Sequence, residues 1–174
     1  MRTILIQNPG RIKKAIKQLK KLKVKKKFIK NKFIIDGDEI EEYSAEQIIM
    51  AIDFGFDPED AILLLNPEYV LEFINVKSHT RRNNLQDVRA RVIGVNGKAK
   101  RTIENLAGAA MSIQGNKVGV IVRSDHLSTT LNAIRSLIQG AKHSNVFTYL
   151  EKQNANLRRF DEEDFGLKED YNSS

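Results

Sequence analysis

Cysteine is absent from the 174 residues, which excludes disulfides, CxxC zinc ribbons and cysteine nucleophiles. Tryptophan is absent as well. No apolar run approaches the roughly 18 residues of a membrane-spanning helix. The N-terminus lacks the charged-then-apolar pattern, with a small-residue cleavage site, that marks a secretory signal. The expectation is a soluble, cytoplasmic chain with no membrane partner. His79, His126 and His143 stand without the neighbours of a metal site or a catalytic triad, so no metal, cofactor or catalytic residue is expected. The length suits one domain or two small ones and is enough to bury a core.

Charge of one sign is missing over long stretches. Residues 1–35 hold 13 basic residues and no acid, and residues 36–76 hold 12 acids and no base. Residues 77–160 carry 15 basic and 4 acidic residues, and residues 161–174 carry one and 6. The net charge of +7 is therefore the sum of opposed blocks. A basic block attracts phosphate through counterion release; a lysine run is equally a solvated face. The acidic block is read as mostly two helices whose charges face water; a carboxylate metal site at Asp36, Asp38, Glu39, Glu41 and Glu42 is the alternative, with no accompanying His or second carboxylate motif.

Hydrophobic spacing places the elements. Arg2 to Ile6 reads as a strand, and Ile12, Ala15, Ile16, Leu19 and Leu22 mark a basic amphipathic helix over 11–22. Residues 23–35 read as a hairpin turning at Asn31-Lys32. Ser44, with Gln47 three residues on, predicts a capped helix ending at Gly55. Asp57-Pro58 opens a short helix stopped at Asn66-Pro67. Tyr69 to Val76 is a strand. Asn84 caps a helix carrying Leu85, Val88, Val92 and Ile93. After Gly94-Val95-Asn96-Gly97, a second helix runs to Gly108. Met111 and Ile113, then Val118, Val120 and Val122, alternate on two strands around Gln114-Gly115-Asn116. Ser124 caps a long helix ending at Gly140, and His143-Ser144 leads into a last one.

The Gly-x-x-Gly at residues 94–97 carries the most chemistry. Glycines let backbone approach a phosphodiester without an intervening Cβ, and the free N–H groups of the following helix then face the anion. Lys98, Lys100 and Arg101 follow at once. A Walker A loop would need Gly at 92 and Ser or Thr after Lys98, where the chain has Val92 and Ala99. A dinucleotide fingerprint also needs Gly at 92. From Asn84 to Gly140 there is no Phe, Tyr or Trp, which argues against an RRM or OB-fold stacking bases on aromatics.

Residues 93–98 through Val118-Gly119-Val120-Ile121 resemble a type I KH domain, whose loop clamps about four nucleotides of a single strand. The resemblance implies an RNA site of Gly94, Val95, Asn96 and Gly97, with Lys98, Lys100 and Arg101 on phosphates, Ile93 lining the groove and Arg91 on the same basic surface. Arg81, Arg82 and Arg89 extend that surface. Val92, Ile103, Met111 and Ile113 are further groove candidates, ordinary core packing being the alternative for each.

Gly140-Ala141-Lys142-His143-Ser144, with Val146-Phe147 and Leu150-Glu151-Lys152, is similar to the C-terminal signature of the archaeal partner-of-Nob-one family, a two-KH group related to a eukaryotic small-subunit assembly factor. Ala51-Ile52-Asp53-Phe54-Gly55-Phe56, Pro58-Glu59, Ala61 and Leu63-Leu64-Leu65 match its inter-KH segment. The family usually has Pro where Lys142 stands. That resemblance implies a non-enzymatic role in small-subunit ribosome assembly: binding near the 3′ end of small-subunit rRNA, assisting its maturation, with the Nob endonuclease and an initiation factor alpha subunit as partners. A general translation or mRNA-binding KH protein, or an RNA-processing enzyme, are the alternatives.

An internal repeat supports two units. Ile16 and Leu19 match Ile103 and Leu106 at an offset of 87, but Gln7-Asn8-Pro9-Gly10 then stands where the loop should be. The expected fold is α+β: two tandem type I KH-like domains, the first (1–66) truncated and degenerate, the second (67–153) carrying the loop and a C-terminal helix, followed by a mostly disordered acidic tail (154–174).

Overall fold

The computed structural model describes residues 1–15 and 19–169, the last ten as backbone only. The expected helical position of Ile16 and the tail positions 170–174 lie outside the described residues. Two three-stranded antiparallel sheets are built in the same order. The first unit runs β1 (Arg2–Leu5), α1 (Pro9–Lys14), β2 (Lys25–Ile29), β3 (Lys32–Asp36) and α2 (Glu39–Phe54), with strand order β1-β3-β2. A short helix α3 (Pro58–Ala61) and a 3-10 turn (Ile62–Leu65) lead onward. The second unit runs β4 (Tyr69–Asn75), α4 (Leu85–Ile93), α5 (Lys98–Ala107), β5 (Ala110–Gln114), β6 (Lys117–Arg123) and α6 (Ser124–Gln139), with order β4-β6-β5.

The two sheets repeat each other in detail. Both hairpins turn over two residues, Lys30-Asn31 and Gly115-Asn116, with positive φ at Lys30 (55°) and Gly115 (55°). The first turn thus sits one residue earlier than Asn31-Lys32. In both, the turn asparagine's carbonyl accepts from the chain just after the first strand: Ile6 N–H to Asn31 (2.7 Å) and Val76 N–H to Asn116 (2.8 Å). Among the described residues, the stretch from the end of β1 to Pro9 holds no helix, whereas α4 stands between β4 and the loop of the second unit.

Strand β6 has both faces covered. Val118, Val120 and Val122 face α4, α5 and α6 in one core with Val88, Val92, Ile103, Ile134, Leu137 and Ile138. Ile121 joins the other core, with Ile48, Ile49, Ile52 and Phe56 of the first unit. Gly119 lies on that second face. A Cβ there would stand 2.8 Å from the Phe56 ring and 2.9 Å from the Phe54 ring, so only glycine lets the two units approach this closely. Phe54 in turn meets Phe73 of β4 edge-on, centroids 4.8 Å apart.

Three local expectations are corrected. Helix α2 begins at Glu39 after Asp38, not at Ser44. Glu39, Glu41 and Glu42 in its first turn suit the macrodipole, and the mid-helix Ser44 hydroxyl donates back to the Ile40 carbonyl at 3.0 Å. Glu42 does not face water: it is buried, 2.7 Å from the Met1 ammonium, and accepts from the Gly37 N–H at 3.1 Å. Arg123, not Ser124, is the residue preceding helix α6. The expected C-terminal helix is present as α7 (His143–Glu169), and its described backbone runs on through residues 154–169. That stretch has no proline, and eight of its 16 residues are Leu, Arg, Glu or Lys, all strong helix formers.

Candidate nucleic-acid interface

Asn84 starts the site. Its side-chain oxygen accepts from the Gln86 N–H (3.1 Å) and the Asp87 N–H (3.4 Å), capping α4 as its position predicts. Helix α4 ends when the Gly94 N–H bonds to the Ala90 carbonyl (2.8 Å) and the chain turns back through a 3-10 turn. Gly94 has φ 75°, ψ 172°, and a Cβ there would lie 2.6 Å from both N and Cβ of Ala99. Gly97 is left-handed (φ 73°, ψ 14°), as is Asn96 (φ 51°, ψ 30°). Asparagine is among the few non-glycine residues that take this conformation readily. Both glycines are thus required by the backbone.

The loop presents an open surface. Val95 is 83% exposed, and Asn96 and Lys98 are exposed beside it. Helix α5 begins at Lys98 with no side-chain cap, leaving the amides of its first turn without partners inside the helix. Arg101 folds back, its guanidinium donating to the Asn96 carbonyl at 2.7 Å, and so braces the loop while adding charge to it. Lys100 bonds to Glu104 at 2.9 Å, and the same Glu104 oxygen accepts from the Met111 N–H at 2.8 Å. Lys100 is therefore partly neutralised and points along the groove.

Next to the loop lies a cavity of about 290 Å³ lined by Ile93, Lys100, Met111 and Ile113, with Asp57 and Asp60 of the first unit opposite. Ile93 is 37% exposed, as a groove residue must be. Val92 and Ile103 are fully buried and belong to the core, so they do not line the groove. Arg91 is engaged within the fold: its guanidinium donates to the carbonyls of Leu137 (3.4 Å) and Ala141 (2.5 Å), and its own carbonyl meets His143 Nε2 at 2.8 Å. It ties α4 to the end of α6 and the start of α7. Arg89 donates to the Gly115 carbonyl at 2.8 Å.

The corresponding place in the first unit is filled from within. The Asp53 carboxylate accepts from the N–H groups of Gln7 (2.9 Å) and Asn8 (2.6 Å), where the aligned loop of the second unit is open. Arg11 donates to the carbonyls of Asp53 (3.0 Å) and Phe54 (2.7 Å). The internal carboxylate occupies amides that a phosphate would need. Sequence reasoning quoted Asp53 only within the inter-KH segment and did not single out Asp60, since neither belongs to a motif with a recognisable chemistry. The only signal was the run of acids around Gly55, from Asp53 to Asp60, in the segment that joins the units.

A family model described as a eukaryotic-type KH domain, KH type I, matches residues 70–155. A KH domain-containing protein of Methanocaldococcus jannaschii is 32% identical over 163 residues, covering 90% of this chain and 71% of that protein. The pre-rRNA-processing protein pno1 of Aspergillus fumigatus is 32% identical over 126 residues, 70% of this chain and 49% of that one. The chain spans about half the length of such fungal relatives. A Pyrococcus horikoshii chain solved in an a/eIF2alpha–aDim2p–rRNA complex superposes with a TM-score of 0.77 at 28% identity, covering 89% of this chain and 94% of that one. With this cover of the archaeal relative, and a type I KH model lying on the loop-bearing unit, the chain belongs to the partner-of-Nob-one family of KH proteins.

Proposed function

We propose that this chain binds single-stranded RNA in small ribosomal subunit assembly, near the 3′ end of small-subunit rRNA, and assists maturation of that end without catalysing it. The observation that carries the reading is the open Gly94–Gly97 loop, set by two positive-φ glycines at the uncapped start of α5 and followed by three cations. Phosphates approach the loop backbone and the α5 amides, where the macrodipole and Lys98 attract them. Lys100 and Arg101 supply further charge, and each phosphate neutralised releases counterions. Bases then turn toward Ile93 and Ile113, which offer apolar surface for contact. Arg91 acts by position, holding α4 and hence the loop against α6.

The target and partners come from the relatives. Those named pre-rRNA-processing proteins support a ribosomal target, and the rRNA complex of the Pyrococcus chain supports contact with RNA and with an initiation factor alpha subunit. The Nob endonuclease is the partner expected to cut. Residues 1–66 serve as a second packing unit whose own anion site is closed by Asp53, while 67–153 hold the RNA. No helix among the described residues is long and apolar enough to cross a membrane. The proposed role is a cytoplasmic one. Crosslinking in cells tests the proposal: reads concentrated at the 3′ end of small-subunit rRNA are expected, and reads scattered over mRNA would make this a general translation factor instead.

A further inference from the structure

The groove beside the loop has a wall that the KH unit does not supply. Strand β5 is the edge of its sheet. Across the cavity from Met111 and Ile113 stand Asp57 and Asp60, at the start of α3 in the first unit. Asp57 is exposed, and Asp60 is half-buried. The nearest cation, Lys100, is already paired with Glu104. Burial pushes the Asp60 carboxyl above its ordinary 3.8, Asp57 and Glu104 push it further the same way, and Lys100 opposes them. A half-buried carboxylate in an acidic setting is costly for a free protein and marks a functional candidate.

A phosphate would be repelled from this wall, whereas the loop attracts one. A nucleotide in the groove is therefore oriented, with its phosphodiester at Gly94–Lys98 and its base toward the first unit. An ionised carboxylate only accepts hydrogen bonds. It matches the exocyclic amino hydrogens of cytosine or adenine; uracil has no amino group and offers only its N3–H between two carbonyls that a carboxylate repels.

We propose that Asp60 is a specificity residue of the groove, accepting a hydrogen bond from the exocyclic amino group of a cytosine or adenine held beside Ile93 and Ile113. The proposal rests on the RNA-binding reading of the loop. It gives the first unit a direct part in recognition although it lacks a phosphate loop of its own.

The test compares oligocytidylate, oligoadenylate and oligouridylate octamers by fluorescence anisotropy at one salt concentration. The full chain is expected to bind the cytidine or adenine octamer about tenfold more tightly than the uridine one, the worth of one charged hydrogen bond. In Asp60→Asn that ratio should fall to about twofold or less, because an amide both donates and accepts. Asp60→Ala should lose the preference as well. If Asp60→Asn keeps the ratio, or strengthens all three octamers equally, Asp60 is only a source of charge and the proposal fails. Val95→Asp with Asn96→Asp separates the two readings. If the chain binds RNA through the loop but Asp60 leaves the ratio untouched, only the present inference falls. If the chain binds none of the octamers, both fall.

Discussion

Placing two carboxylates in the loop, by Val95→Asp with Asn96→Asp, is the sharpest perturbation of this site. The structure makes the change nearly free for the fold. Val95 is 83% exposed and packs against little. Asn96 has φ 51°, which Asp also adopts, and the Arg101 brace uses its backbone carbonyl rather than its side chain. The melting temperature should move by no more than about 2 °C, as for other surface substitutions. Binding should respond strongly. At about 5 Å in water, a carboxylate and a phosphate repel by about 0.8 kcal/mol, roughly halved by salt at 0.15 M. Two charges, each facing about two phosphates, sum to about 1.6 kcal/mol, or about fifteenfold in affinity. The assay is anisotropy on a single-stranded RNA across a salt series. If two phosphates leave the loop, the slope of log affinity against log salt should flatten by about 1.4. A folded variant with a loss below about threefold and an unchanged slope would refute the assignment of phosphates to residues 94–97.

The other expectations concern the framework of the site. Gly119→Ala would press a Cβ against the Phe54 and Phe56 rings at under 3 Å, so chemical denaturation should show a loss of about 1–3 kcal/mol. Asp53→Ala strands the Gln7 and Asn8 amides and should cost about 1–3 kcal/mol in the same assay, with RNA affinity at the second unit unchanged. Glu42 adds a dependence on acid. The Met1 ammonium hydrogen-bonded to it holds its carboxyl below the ordinary 4.5 against the opposing effect of burial, helped by the Gly37 N–H and Arg2. A depressed carboxyl binds fewer protons folded than unfolded, so its stabilisation is complete above about pH 4.5 and drains away as pH falls through the folded value. Thermal melts between pH 6 and 3 should show a shallower acid decline in Glu42→Gln; equal declines would assign the acid sensitivity to other groups.

Much of this architecture is local and could be read along the chain. The alternation of Val118, Val120 and Val122 marks a strand, the Asn84 cap and the Gly108 and Gly140 stops bound helices, and each matches the structure. The Gly-x-x-Gly loop is legible for the same reason: the backbone angles it needs belong to glycine, and the cations beside it are adjacent in sequence. Helix starts were less legible. Ser44 looks like a cap by type, yet it stands inside α2, because Asp38 and the acids after it begin the helix earlier.

What escaped the sequence depends on partners far along the chain. Arg91 reads along the chain only as part of a basic surface, whereas its guanidinium also holds the carbonyls of Leu137 and Ala141, some 46 to 50 residues away. Asp53 looks like a surface acid until it closes the amides of Gln7 and Asn8. Glu42 looks solvated until packing buries it beside Met1. Asp60 enters the groove only because Gly119 lets the phenylalanines of the first unit close on the second sheet. Periodicity and turn chemistry decide elements, since they act over a few residues. The partner of a charge is decided by the packing of whole sheets, and only the tertiary structure holds that.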